Sequence, residues 1–268
     1  MTLSDADIFD QHLAQWQAWC ASPWGRIRFA VVAETLRRQV VVLQEAAGGR
    51  PLRVLDVGGG DGRDSRPLAA AGHEVTILDT SAGMLGVARG EAEAACTGDR
   101  VRLVEGSLDE LTALVGTGFD LVLCHFVLQY RPAGTGDLGL LAGALGEGGR
   151  LSVVAPNPAG AVLGSLVRRG PATALEELTR ETSQAVTFEH EVRKIDPDVM
   201  AADLASVGLD VVARYGARCA NDLLADDGPK HDPAYFAELE RLELALCDRE
   251  PFLRTGMVWQ LVAQRAAG

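Results

Sequence analysis

The chain has 268 residues, 47% apolar and 23% charged, which are ordinary values for a globular domain with its own core. Its net charge is −12, and Lys194 and Lys230 are its only lysines. An acidic surface repels phosphate backbones wherever no basic patch overrides it. Five cysteines (Cys20, Cys96, Cys124, Cys219 and Cys247) lie far apart with no C-x-x-C, which excludes a disulfide framework and a zinc site. Asp5, Asp7 and Asp10 occupy the place of a signal peptide's basic region, and no run approaches the roughly 18 apolar residues of a membrane span. These features point to a reducing cytoplasm, with no membrane and no metal.

Residues 4–47 read as helical, broken at Pro23-Trp24-Gly25 and ended by Gly48-Gly49. An alternating pattern follows. Arg53–Val57 is a short apolar strand, then come a Gly-rich turn and a helix over Asp64–Ala71. Glu74–Leu78 is a second strand ending at Asp79, and Thr80-Ser81 offers a cap for a helix to about Ala95. Val101–Val104 and the apolar Phe119–Val127 are further strands, the latter suited to burial on both faces. A helix over Leu138–Leu145 leads to a fifth strand, Leu151–Ala155. Residues 159–195 hold helical pieces without a strong strand and read as an insertion over the sheet's carboxyl edge. Asp196-Pro197 and Asp232-Pro233 open two more helices, and Leu209–Tyr215 and Met257–Gln264 are the last strands. The predicted fold is α/β: a doubly wound, seven-stranded, mostly parallel sheet. The predicted division is an N-terminal helical cap over residues 1–50 and one domain over 51–268, with helical insertions at about 159–195 and 221–254.

The turn after the first strand reads Gly58-Gly59-Gly60-Asp61-Gly62. Glycines there allow positive φ and close approach of a ligand, and the next helix aims its N–H groups at the site. The dinucleotide pattern G-x-G-x-x-G fails, because Arg63 stands where its third glycine belongs. The pattern D-x-G-x-G-x-G, met by Asp56, Gly58, Gly60 and Gly62, resembles that of S-adenosylmethionine (SAM)-binding methyltransferases. SAM has no pyrophosphate, so such a turn wraps an amino-acid carboxylate and a sulfonium. Asp79 lies about 20 residues past the turn, where an acidic residue grips ribose hydroxyls. Ser107 and Leu108 follow the third strand and frame an adenine; Asp109 is an alternative partner for its amino group.

The fourth strand delivers His125 and Tyr130 to the carboxyl edge, and the fifth delivers Asn157. His125 is the candidate base, with packing beside SAM as its alternative role. Tyr130 and Asn157 are candidate acceptor contacts or structural hydrogen bonders. Arg28 is a candidate partner for the SAM carboxylate, or a surface charge.

At these residues the chain resembles class I SAM methyltransferases, and more narrowly the tRNA 5-carboxymethoxyuridine methyltransferase family. The resemblance runs through Gly25-Arg26-Ile27-Arg28, Arg53–Gly62, Leu78-Asp79 with Ser81 and Met84, and His125 with Val127-Leu128. It continues through Asn157 with Gly160, Gly216 with Arg218, and Arg249-Glu250-Pro251. It implies SAM binding by Arg28, Gly58, Gly59, Asp79, Ser107 and His125. Asp56, Gly60, Thr80, Met84 and Leu108 complete the expected cofactor set, and Arg218 joins Asn157 on the acceptor side.

The insertion sets Arg168, Arg169, Arg180, Arg193 and Lys194 against Glu176, Glu177, Glu181, Glu189 and Glu191, where a tRNA binder would show a basic run. The leading expectation is therefore O-methylation of a carboxylate or hydroxyl on a small molecule. Methylation of tRNA wobble uridine is the alternative, and a SAM-binding protein without transferase activity is the third. A homodimer is compatible with the sequence.

Overall fold

The computed structural model describes residues 13–134, 136–185 and 190–265. The acidic residues Asp5, Asp7 and Asp10, and Glu189 of the insertion, lie outside them. Two helices open the fold, α1 (Leu13–Ala21) and α2 (Pro23–Ala46). The break expected at Pro23 is a single residue. Ser22 caps α2 by accepting from the Gly25 N–H at 3.1 Å, and Pro23 sits at the first helical position, where its missing N–H costs nothing.

The sheet contains β1 (Arg53–Val57), β2 (Glu74–Asp79), β3 (Val101–Glu105), β4 (Phe119–His125), β5 (Leu145–Pro156), β8 (Leu209–Ala217) and β9 (Val258–Arg265). Its order is β3-β2-β1-β4-β5-β9-β8. Strands β1 to β5 are parallel, and β9 runs antiparallel to both β5 and β8. Crossovers are α3 (Arg66–Ala70), α4 (Ala82–Ala94), α5 (Leu111–Val115) and α6 (Gly136–Ala144). The insertion after β5 holds α7 (Pro158–Arg169), α8 (Pro171–Thr179) and a hairpin, β6 (Thr182–Ala185) with β7 (His190–Arg193). That short hairpin adds to the expected helical pieces, in a stretch whose pattern shows no strong strand. Its residues are mostly polar and pair only with each other, so they lack the apolar run of a central strand. Helices α9 (Pro197–Ser206) and α10 (Pro233–Leu246) complete the chain.

Strand side chains alternate between two buried layers. In β4, Val122 and Cys124 join α5, α6 and α9 on one face, while Leu121 and Leu123 join α2, α3 and α4 on the other. Val32, Leu36, Val40 and Leu43 of α2 lie in that second layer, so this helix belongs to the core. Trp16 and Trp19 of α1, with Arg28 and Phe29 at the start of α2, lie over the carboxyl edge of the sheet. No described helix is long and apolar enough to cross a membrane.

Candidate active site

One cavity of about 420 Å³ opens beyond the carboxyl ends of β1, β2, β4 and β5, the usual ligand position in open α/β sheets. All the residues expected on the cofactor side line it: Arg28, Asp56, Gly58, Gly59, Gly60, Asp79, Thr80, Met84, Ser107, Leu108 and His125. So do Tyr130, Asn157 and Arg218.

The Gly-rich turn forms the floor. Gly58, Gly60 and Gly62 have φ of 64°, 54° and 72°, a region that favours glycine. A Cβ on Gly60 would stand 2.9 Å from Met84 Cε, so the bare backbone keeps this part of the cavity open. Asp79 is locked beside it. Its Oδ2 accepts from the Gly60 N–H and its Oδ1 from the Ser81 N–H, both at 2.8 Å. The carboxylate is thus pre-oriented at the wall where a ribose would lie.

Two buried polar atoms along this wall have no partner: Arg28 Nε, a donor, and Asp56 Oδ2, an acceptor. A buried group left in this state costs free energy until a ligand satisfies it. Burial pushes the Asp56 carboxyl up to about 7, opposed by a hydrogen bond from Ser65. One orphan donor and one orphan acceptor on the same cavity suit an amino acid's carboxylate and ammonium. The residues present therefore fit SAM.

Arg28 is not a surface charge. It is 3% exposed and forks onto Asp64 at 2.5 and 2.6 Å. Asp64, expected to begin a helix, instead lies in the turn before α3 and also meets His125 Nδ1 at 2.7 Å. Burial alone would raise the Asp64 pKa, but the Arg28 charge and the His125 hydrogen bond outweigh it and hold the carboxyl well below the usual range. His125 Nε2 contacts Ser152 Oγ at 2.8 Å. Both ring nitrogens are thus occupied, and burial pushes the imidazole pKa down. This corrects the expectation of His125 as a base: neither nitrogen faces a substrate proton.

Two other expectations are also corrected, and a third, Arg218, is narrowed. The Asn157 amide donates to the carbonyls of Arg254 and Gly256, at 2.9 and 2.7 Å, and its oxygen caps α7 through Ala159 N–H. It ties two loops together instead of presenting its amide to an acceptor. Asp109 does not line the cavity and is forked onto Arg131 at 2.6 and 3.0 Å, so it is not placed as an adenine partner. Arg218 does line the cavity, but through Nε and Nη2 it holds Asp222, at 2.8 and 2.5 Å. Its φ of 61° is unusual for a non-glycine residue. The conformation is fixed by Glu243, fully buried, which accepts from the N–H groups of Cys219, Ala220 and Asn221 at 2.7 to 2.9 Å.

An aromatic wall completes the site. Trp16 and Trp19 of α1 stack at 5.4 Å, and Phe29 meets both edge-on. Trp16 Nε1 donates to Asp61 of the Gly-rich turn at 3.3 Å. Nothing in the local sequence marked the Trp16–Asp61 contact, which joins positions 45 residues apart. No group of three or more His, Cys, Asp or Glu able to hold a metal occurs among the described residues.

Residues 54–149 match a family described as a methyltransferase domain. They span β1 to the start of β5, which includes most of the cavity floor. The chain is a class I SAM-dependent methyltransferase. The methyltransferase is 28% identical to the tRNA 5-carboxymethoxyuridine methyltransferase of Escherichia coli K12 over 241 residues, covering 90% of this chain and 89% of that one. A ubiquinone biosynthesis O-methyltransferase of Azorhizobium caulinodans is 33% identical over 156 residues, 54% of this chain and 56% of the relative. Among solved structures, magnesium protoporphyrin IX methyltransferase from Synechocystis PCC 6803 superposes with a TM-score of 0.62 at 20% identity, covering 97% and 98% of the two chains.

Proposed function

We propose that this methyltransferase transfers the methyl group of SAM to an oxygen, carboxylate or hydroxyl, of a small-molecule acceptor. The observation that carries this reading is the form of the acceptor side. It is a walled cavity under α1, α7 and the β6–β7 hairpin, not a basic groove. Both acceptor-side arginines that line it are ion-paired, Arg131 with Asp109 and Asp137 and Arg218 with Asp222, and Arg168 outside the lining pairs with Asp227. An extended polyanion would have to break these pairs.

In this reading Asp79 holds the ribose, Ser107 and Leu108 frame the adenine, and Met84 and Thr80 flank them. Arg28 and Asp56 take the amino-acid carboxylate and ammonium. SAM supplies a methyl group made electrophilic by its sulfonium. The chain's part is to bind, align and exclude water. An acceptor carboxylate is already ionised at neutral pH, which suits a site whose histidine has no free nitrogen. Arg218, with Nη1 still available beside its Asp222 pair, is the proposed grip for such an anion, and Tyr130 lies on the same wall.

The second reading is methylation of a tRNA wobble uridine. It is favoured by the similarity to the Escherichia coli enzyme across nine-tenths of this chain. The test is transfer from methyl-labelled SAM into a cell extract separated into small molecules, protein and RNA. Label in the small-molecule fraction, resistant to ribonuclease, supports the proposal; label confined to tRNA replaces it with the second reading. With the acceptor in hand, Arg218→Ala is expected to raise its KM about 10-fold or more while leaving SAM affinity unchanged.

A further inference from the structure

Behind the cavity a chain of hydrogen bonds runs into the core. Ser152 Oγ, which meets His125 Nε2, also accepts from Gln260 Nε2 at 3.0 Å. Gln260 Oε1 in turn contacts Thr35 Oγ1 at 2.6 Å, and Thr35 is within 2.9 Å of the Val32 carbonyl. Ser152 and Thr35 are fully buried, and Gln260 is 3% exposed. The three residues come from β5, α2 and β9 and belong to no recognisable motif.

Asp64, His125 and Ser152 touch in the order of a hydrolytic triad. Here that chemistry is closed. The hydroxyl is 0% exposed and points into the layer between sheet and helix, so no substrate carbonyl reaches it.

The chain has a polarity instead. With Gln260 donating its amide N–H to one lone pair of Ser152 Oγ, the serine hydroxyl hydrogen is free to point at His125 Nε2, in the arrangement that also suits an ionised Asp64. That nitrogen then bears a lone pair, and the ring proton sits on Nδ1, facing Asp64. The charged groups around the ring are Asp64 and Arg28, with Asp56 on the neighbouring strand. A neutral ring donating from Nδ1 leaves Asp64 ionised and able to hold both Arg28 nitrogens.

We propose that Ser152 and Gln260 are positioning residues for the cofactor: with Asp64 drawing the ring proton to Nδ1, they hold Nε2 as an acceptor and so keep His125 neutral and oriented, which clamps Asp64 and aims Arg28 at the amino-acid end of SAM. This rests on the SAM-binding reading of Arg28 given above. The residues act through hydrogen-bond direction, not through contact with the ligand. Partners of this second kind commonly matter about 10-fold or more to binding, because they fix the orientation of the group that does make contact.

The test combines imidazole ¹⁵N NMR with calorimetry of S-adenosylhomocysteine. In the unaltered protein the His125 signals, assigned by their loss in His125→Asn, are expected to show a protonated Nδ1 and a bare Nε2. Protonation at Nε2 would overturn the proposal without any variant. In Ser152→Ala, which removes the donor to Nε2, the fraction of His125 protonated at Nε2 is expected to rise and S-adenosylhomocysteine affinity to fall about 10-fold. Gln260→Met, close in size, is expected to move both readouts the same way and more weakly. Variants that fold, by thermal melting, yet keep both tautomer and affinity would refute the inference. Failure of the unaltered protein to bind S-adenosylhomocysteine would instead strike the SAM reading itself, so the two failures are distinct.

Discussion

The two ends of the cavity are built in opposite ways. The cofactor end comes largely from one stretch of chain, Asp56 to Met84, in which a strand, a glycine turn and a second strand follow in order. Its polar side chains are anchored by near neighbours yet leave two buried atoms unpaired, Arg28 Nε and Asp56 Oδ2. The acceptor end is assembled from separate segments that contribute Tyr130, Asn157, Ala161, Val192, Arg218 and Met257. There the polar groups largely bind one another, as in Asn157 with residues 254 and 256, or Arg218 with Asp222. A ligand common to many proteins can be held by backbone shape. An acceptor particular to one protein is selected by tertiary contacts.

The largest effect that tests this contrast is expected at Asp64. Asp64→Ala leaves the Arg28 guanidinium buried without its counter-ion, and removing one partner of a buried pair typically costs about 3–5 kcal/mol. Denaturant unfolding should register that loss, together with near-abolished SAM binding. A fully stable variant would mean that Arg28 finds another partner. At Asp79 the expected loss is in binding, not folding. Asp79→Ala removes a charged acceptor worth roughly 1.5–3 kcal/mol to its ligand. It also frees the Gly60 N–H it now holds. Unchanged affinity by calorimetry would remove Asp79 from the cofactor site.

The same contrast explains what was legible in the sequence. The strands, the helix starts at Ser81, Asp196 and Asp232, and the turn at Gly58 are set by neighbours a few residues away, so local chemistry announces them. The roles of Asp64, Ser152 and Gln260 depend on partners brought together only by the sheet. A histidine in an apolar strand reads as a base when its two hydrogen-bond partners are invisible. Asn157 is a similar case. Its side-chain oxygen caps α7, with Pro158 at the first helical position. Asn157→Ala should therefore cost about 0.5–2 kcal/mol of stability through the lost cap. Acceptor KM should barely move; a large KM change with unaltered melting would restore Asn157 as a substrate contact.

The effect expected at Asp56 is a pH dependence, and it probes the cofactor end most directly. Burial raises this carboxyl to about 7 in the folded protein without ligand. A carboxyl whose pKa rises on folding favours the folded state at low pH and loses that contribution as pH climbs through the raised value. The unliganded protein should thus lose stability between the ordinary aspartate range and about pH 7, and Asp56→Asn should flatten that slope. An ammonium group placed beside Asp56 Oδ2 reverses the effect by favouring the ionised form. Binding of S-adenosylhomocysteine at about pH 6.5 should then release a fraction of a proton. Calorimetry in two buffers of different ionisation enthalpy measures that fraction. If Asp56→Asn binds with the same proton release, the ammonium lies elsewhere and the pairing of the two orphan atoms with the ends of an amino acid is wrong.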